Sequence, residues 1–188
     1  MLNDKPWGPQ QWANPRQYGW NSYDWSHGGN SYYSSSSASE HSWSPFYRAN
    51  KIEDYGPRPF VINIEEATKR NNNYRTALWT GTHLQVTLMS INVGGDIGLE
   101  IHPNVDQFLR IEEGEGLVQM GDRKDHLSFQ EKVHDNDAIL VPAGTWHNLI
   151  NTGERPLKLY SIYAPPKHPH GTVQETKAIA MGEERAEK

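Results

Sequence analysis

Glu100-Ile101-His102, Gln107 and His147 are the residues of this chain whose types and spacing suit them to chemistry. In an extended strand successive side chains alternate, so Glu100 and His102 point to one face while Leu99 and Ile101 take the other. A carboxylate and an imidazole placed this way, joined by the amide oxygen of Gln107 and the imidazole of His147, form a workable chelate for a divalent cation. His147 follows the turn Pro142-Ala143-Gly144-Thr145-Trp146, which aims its ring back toward the interior. A Glu facing an apolar interior needs a partner or a metal ion. Donors of oxygen and nitrogen without sulfur favour Mn, Fe, Co, Ni or Zn over Cu(I). Glu100, His102 and His147 also satisfy the two-histidine, one-carboxylate set of non-haem iron oxygenases. Gln107, neutral and weak, is the ligand that would yield when a substrate arrives.

Donors so far apart in sequence meet only if short strands bring them together. From Arg58 onward, runs rich in Val, Ile, Leu and Tyr alternate with Gly, Asn, Asp and Pro, the pattern of an all-β sandwich or barrel. Strands are expected near Phe60–Ile64, Thr76–Trp79, His83–Asn92, Gly98–His102, Gln107–Glu112, Gly116–Met120, Ala138–Val141, His147–Asn151 and Leu157–Tyr163. A short helix is expected over Glu65–Arg70, stopped by Asn71-Asn72-Asn73. The charged stretch Asp122–Asn136, with His126 and His134, reads as a solvated hairpin. Closing such a sheet removes the exposed edges that many short strands would leave.

The chain has 188 residues and a net charge of −5, with no basic run, which leaves little for non-specific nucleic-acid binding. The absence of Cys removes disulfides, thiolate metal sites and cysteine nucleophiles together. No stretch approaches the apolar length of a membrane span, and the first residues lack a signal-peptide core. These features read as a cytoplasmic protein. Residues 1–57 hold five of the seven Trp (Trp7, Trp12, Trp20, Trp25, Trp43) and ten Ser, yet their large aliphatics besides Met1 are Leu2 and Ile52. With no periodic apolar face to bury, this segment is expected to be a disordered low-complexity arm. It is either a variable tail or an assembly arm. Residues 58–166 are the folded body, and residues 167–188 a polar tail with little to pack.

The body resembles the cupin superfamily. Gly94, Glu100, His102, Gln107 and Gly114 fall on the first cupin motif, G-x5-H-x-H-x4-E-x6-G, with every spacing kept. Asn136, Pro142, Gly144, His147 and Asn151 fall on the second, G-x5-P-x-G-x2-H-x3-N, again without a gap. Glu100 stands for the first His, Gln107 for the Glu, and Asn136 for a Gly. The first two departures move the carboxylate rather than delete it, and Asn tolerates turn geometry. The resemblance implies a single jelly-roll β-barrel with a divalent metal ion (Mn, Fe, Zn, Ni or Co) inside, held by Glu100, His102, Gln107 and His147. It also implies pairing as a homodimer. Some cupins acting on sugars use Gln among their ligands.

Three functions follow as expectations. The first is a metal-dependent enzyme on a small oxygenated substrate, a sugar or sugar-acid isomerase with Glu100 as candidate base. The second is an iron-dependent dioxygenase on the same ligands. The third is a non-enzymatic ligand-binding or structural barrel, anchored by its arm in an assembly such as a spore layer. Weaker signals are read conservatively. Trp146 is expected to pack in the core rather than line the mouth. Arg75 and His83 are expected at the solvated surface rather than against an anionic substrate. One of Tyr160 and Tyr163 should face inward, and His168 and His170 should be exposed.

Overall fold

The computed structural model describes residues 52–186, all within one compact unit, His41–Lys188. The second unit, Met1–Glu40, and with it most of the expected arm, lies outside the described residues. The elements run α1 (Ile64–Arg70), β1 (Arg75–Thr80), β2 (Gln85–Ile91), β3 (Asp106–Glu113), β4 (Gly116–Gly121), β5 (Phe129–Val133), β6 (Ala138–Val141), β7 (Trp146–Asn151), β8 (Leu157–Ala164), β9 (Val173–Gln174) and α2 (Lys177–Ala186). A six-stranded sheet ordered β6-β3-β8-β2-β1-β9 faces a three-stranded sheet ordered β5-β4-β7. Every strand pairing is antiparallel. This is the all-β jelly-roll barrel expected from the two motifs.

The pairing register sorts the interior into two zones. Across β2, β8 and β3 the inward rows are Gln85–Tyr163–Gln107, then Thr87–Ser161–Leu109, then Met89–Leu159–Ile111. The strands therefore carry polar side chains at one end of the barrel and apolar ones at the other. The apolar end joins Met89, Ile91, Leu109, Ile111, Val118, Leu149, Leu157 and Leu159 in one buried cluster. Close packing there makes each large side chain worth about 2–5 kcal/mol on truncation to Ala. A second cluster, on the outer face of the large sheet, seats Ala67 of α1 against Leu78 and Leu88, with Ile52, Tyr55 and Ile62 around it. α1 starts at Asn63, whose side chain accepts from the Glu66 N–H at 3.1 Å, and has Glu65 and Glu66 in its first turn.

Several expectations change. Phe60–Ile64 is not a strand: it leads into the Asn63 cap, and Ile62 and Ile64 pack against the second cluster. Gly98–His102 makes no ladder. Gly98 takes a φ of +87° and its N–H bonds the Asp96 carboxylate, so isolated bridges at Asp96 and Glu100 replace continuous pairing with β7. The stretch Asp122–Asn136 contains β5, an edge strand exposed along most of its length, which is why it lacks an alternating pattern. Beyond Pro166 the chain is polar yet structured. β9 pairs with β1, Ala180 of α2 is buried in the core, and Lys177 is ion-paired to Asp96. Residues 52–57 also pack. Tyr55 stacks on Phe60 at 4.2 Å, and Asp54 accepts hydrogen bonds from Gly56, Thr80 and Gly171.

Candidate metal centre

The polar end of the barrel gathers Glu100, His102, Gln107 and His147. Glu100 and His102 come from the segment bridged to β7, where the Glu100 N–H donates to His147 O at 3.0 Å and the His147 N–H to Glu100 O at 2.9 Å. Glu100 Oε1 lies 3.2 Å from His102 Nε2 and 3.3 Å from His147 Nε2. Gln107 Oε1, from β3, lies 3.0 Å from His147 Nε2. One ligand atom each from Glu100, His102 and His147 fall within 4.8 Å of one another. All four expected donors are thus brought together.

Their orientations are fixed from behind. His147 Nδ1 is 2.9 Å from the Thr145 carbonyl, which accepts its proton, so Nε2 is the nitrogen left to face the centre. Gln107 Nε2 donates to Ser161 Oγ at 3.0 Å, so its oxygen, not its nitrogen, faces inward. His147 Nε2, Glu100 Oε1 and Gln107 Oε1 then converge on one point, the place where a cation would be held. Ligands at about 2.1 Å from one ion stand roughly 3.0–3.4 Å apart, the separations seen here. The donor set and its spacing fit a divalent ion.

Burial works against the charge of Glu100. Hydrogen bonds from His102 and His147, and the nearby charges of His102 and Arg75, nonetheless hold its carboxyl well below the ordinary carboxylate range. Such a group is a poor proton acceptor, which counts against Glu100 as the base. Burial raises the Tyr163 phenol, so it keeps its proton. Burial also pushes His168 down to about 3, so its ring is neutral.

Three further residues belong to the surroundings of the centre, two of which, His168 and Arg75, were expected at the surface. Tyr163 is the inward tyrosine, its ring 5.9 Å from that of His102. His168, expected to be exposed, packs edge-on against Tyr163 at 5.1 Å, because Gln85 clasps its backbone by accepting from its N–H and donating to its carbonyl. Arg75, expected at the surface, is 1% exposed. His83, His126, His134 and His170 are exposed. Trp146, expected in the core, is in neither core cluster. Alternation along β7 turns it away from buried His147, and it is half-buried with Lys124 Nζ 5.9 Å from its ring.

A cupin-domain family model matches residues 87–163. Uncharacterized protein YrkC of Bacillus subtilis is 71% identical over 133 residues, 71% of this chain and 72% of that one. Uncharacterized protein L612 of Acanthamoeba polyphaga mimivirus is 41% identical over 124 residues, 65% and 76% of the two chains. The crystal structure of BH2720 from Bacillus halodurans, 76% identical, superposes with a TM-score of 0.69 over 70% of this chain and 99% of that one. No helix among the described residues is long and apolar enough to cross a membrane.

Proposed function

The chain belongs to the cupin domain family, and on that premise we propose that Glu100, His102, Gln107 and His147 hold a divalent metal ion and that the protein is a metal-dependent enzyme on a small oxygenated metabolite, of the sugar or sugar-acid isomerase kind. The observation that carries this reading is the convergence on His147 Nε2 of Glu100 Oε1 at 3.3 Å and Gln107 Oε1 at 3.0 Å, behind a ring whose other nitrogen is engaged by Thr145. A bound divalent ion would supply Lewis acidity toward a substrate oxygen. Glu100 balances charge, and Gln107 is the neutral donor whose departure costs least. Tyr163 keeps a proton to donate. His168, a neutral ring with no partner for its buried Nε2, offers a hydrogen-bonding position beside the centre.

Metal content after purification without chelator tests the reading. Protein carrying Glu100→Ala and His102→Ala together should lose the ion that the parent retains, and equal metal in both would refute it. The loaded parent should then exchange a carbon-bound proton of a sugar or sugar acid with solvent. The set Glu100, His102 and His147 also supports a second reading as an iron-dependent dioxygenase. Oxygen uptake by iron-loaded but not zinc-loaded protein would select it.

A further inference from the structure

Arg75 sits on β1 with its guanidinium inside the barrel. Its Nη1 donates to Gln174 Oε1 on β9 at 2.8 Å, and the Tyr163 phenol is a second hydrogen-bond partner. It lies close enough to Glu100 and His168 for its charge to act on both. The other buried charged groups have partners of their own: Asp54 accepts from Gly56, Thr80 and Gly171, Glu112 pairs with Arg110 at 3.2 Å, and Lys158 donates to Asn71 and Asn72. Among the described residues, then, Glu100 and Arg75 are the negative and the positive side chain set against the centre, and they cancel. His102 and His147 bind a metal in their neutral forms. A divalent ion therefore leaves the pocket with an uncompensated double positive charge, which a low-dielectric interior tolerates poorly. Thr87 Oγ1, His102 Nδ1 and His168 Nε2 are also buried there without hydrogen-bond partners, which suits an oxygen-rich occupant over an apolar one.

We propose that the centre takes an organic acid, with the ligand's carboxylate beside Arg75 and a neighbouring ligand oxygen directed to the metal ion. This rests on the metal-binding reading above and adds the ligand's charge to it. Arg75 is then a specificity-determining residue, excluding uncharged sugars of the same size.

The test uses the full chain loaded with one equivalent of Co(II), whose visible spectrum reports ligation. Glycolate and glucuronate are titrated in, and in parallel their uncharged counterparts ethylene glycol and glucose, with calorimetry as a second readout. At least one acid should bind saturably and neither neutral compound should at the same concentrations. Arg75→Gln should weaken acid binding about 10- to 100-fold, the worth of a charged hydrogen bond. The same variant should bind Co(II) as tightly as the parent or more tightly, since a positive charge beside the ion is gone. Opposite movements of the two affinities cannot come from a damaged fold. Arg75→Lys, which keeps the charge, should retain most of the acid binding. Neutral compounds binding as well as the acids, no binding of either acid, or unchanged acid affinity in Arg75→Gln overturns the proposal and leaves the metal reading standing. A parent that takes up no Co(II) overturns both.

Discussion

Ser161 offers a sharp test of whether Gln107 is a ligand, because it touches that amide and the Tyr163 phenol but none of the ligand atoms. Its hydroxyl is fully buried and accepts from Gln107 Nε2 at 3.0 Å, leaving Oε1 to face His147. Ser161→Ala removes that acceptor. The amide then either keeps its orientation with an unsatisfied buried N–H, costing about 1–3 kcal/mol, or turns over and presents a donor to the cation. Loss of such an orienting partner lowers metal affinity by about 10- to 100-fold, equivalent to roughly 1.4–2.7 kcal/mol. Metal-free protein should lose about 1–3 kcal/mol of stability, a fall in Tm of about 3–12 °C for a domain of this size. Co(II) titration followed by visible absorption measures the first quantity and thermal unfolding in chelator the second. Gln107→Glu, which places a second carboxylate at the same point, should tighten binding. If Ser161→Ala lowers Tm as expected but binds Co(II) as tightly as the parent, Gln107 is a structural residue and the ion has three protein ligands.

Other consequences are equally checkable. His168 has its proton affinity depressed to about 3 from 6.5, so below pH 6.5 the unfolded chain gains a proton that the folded chain refuses. Stability should fall toward pH 3 by up to about 1.4 kcal/mol per pH unit from this group, and stay flat above pH 6.5. Urea unfolding of His168→Gln across pH 7.5 to 4.5 should show a shallower slope than the parent, and identical slopes would contradict the burial of this ring. Asp54 accepts from Gly56, Thr80 and Gly171, so Asp54→Ala should destabilise by about 2–4 kcal/mol in chemical denaturation. Chelator should lower the Tm of the loaded protein, reversing about 2.7 kcal/mol of stabilisation where free metal stood at 100 times its Kd.

The barrel was legible because its body alternates apolar runs with turn residues, and because the donors sit at fixed spacing around Gly94, Gly114, Pro142 and Gly144. Asn136 shows how local chemistry allowed that reading: it takes a φ of +73° as a Gly would, and its side chain accepts from Arg110. What stayed hidden is what only three dimensions decide. Arg75 reads as a surface cation at the start of a strand, and nothing local says that Gln174, 99 positions later, will receive it inside. His168 stands in a Pro-rich polar stretch, and its burial depends on Gln85, 83 positions earlier. A signal was present all the same. Gln85 with Thr87, and Ser161 with Tyr163, alternate in phase with Gln107, while Val86, Leu88 and Ile162 take the other face. At this end of the strands the polar face is the inner one, and hydrophobicity patterns alone assign it to solvent. β5 and β9 were missed for simpler reasons, one solvated along most of its length and the other two residues long.

The zoning of the interior sets where this domain can vary. Met89, Leu109, Leu149 and Leu159 hold the sheets together at a distance from the donors, so exchanges among Glu100, Gln107, Ser161 or Tyr163 leave that clamp intact. The same scaffold could thereby swap one set of inward polar residues for another at the local cost of each exchange, with the strand packing unchanged. Replacements in the leucine rows have no such freedom, since they unseat every strand at once.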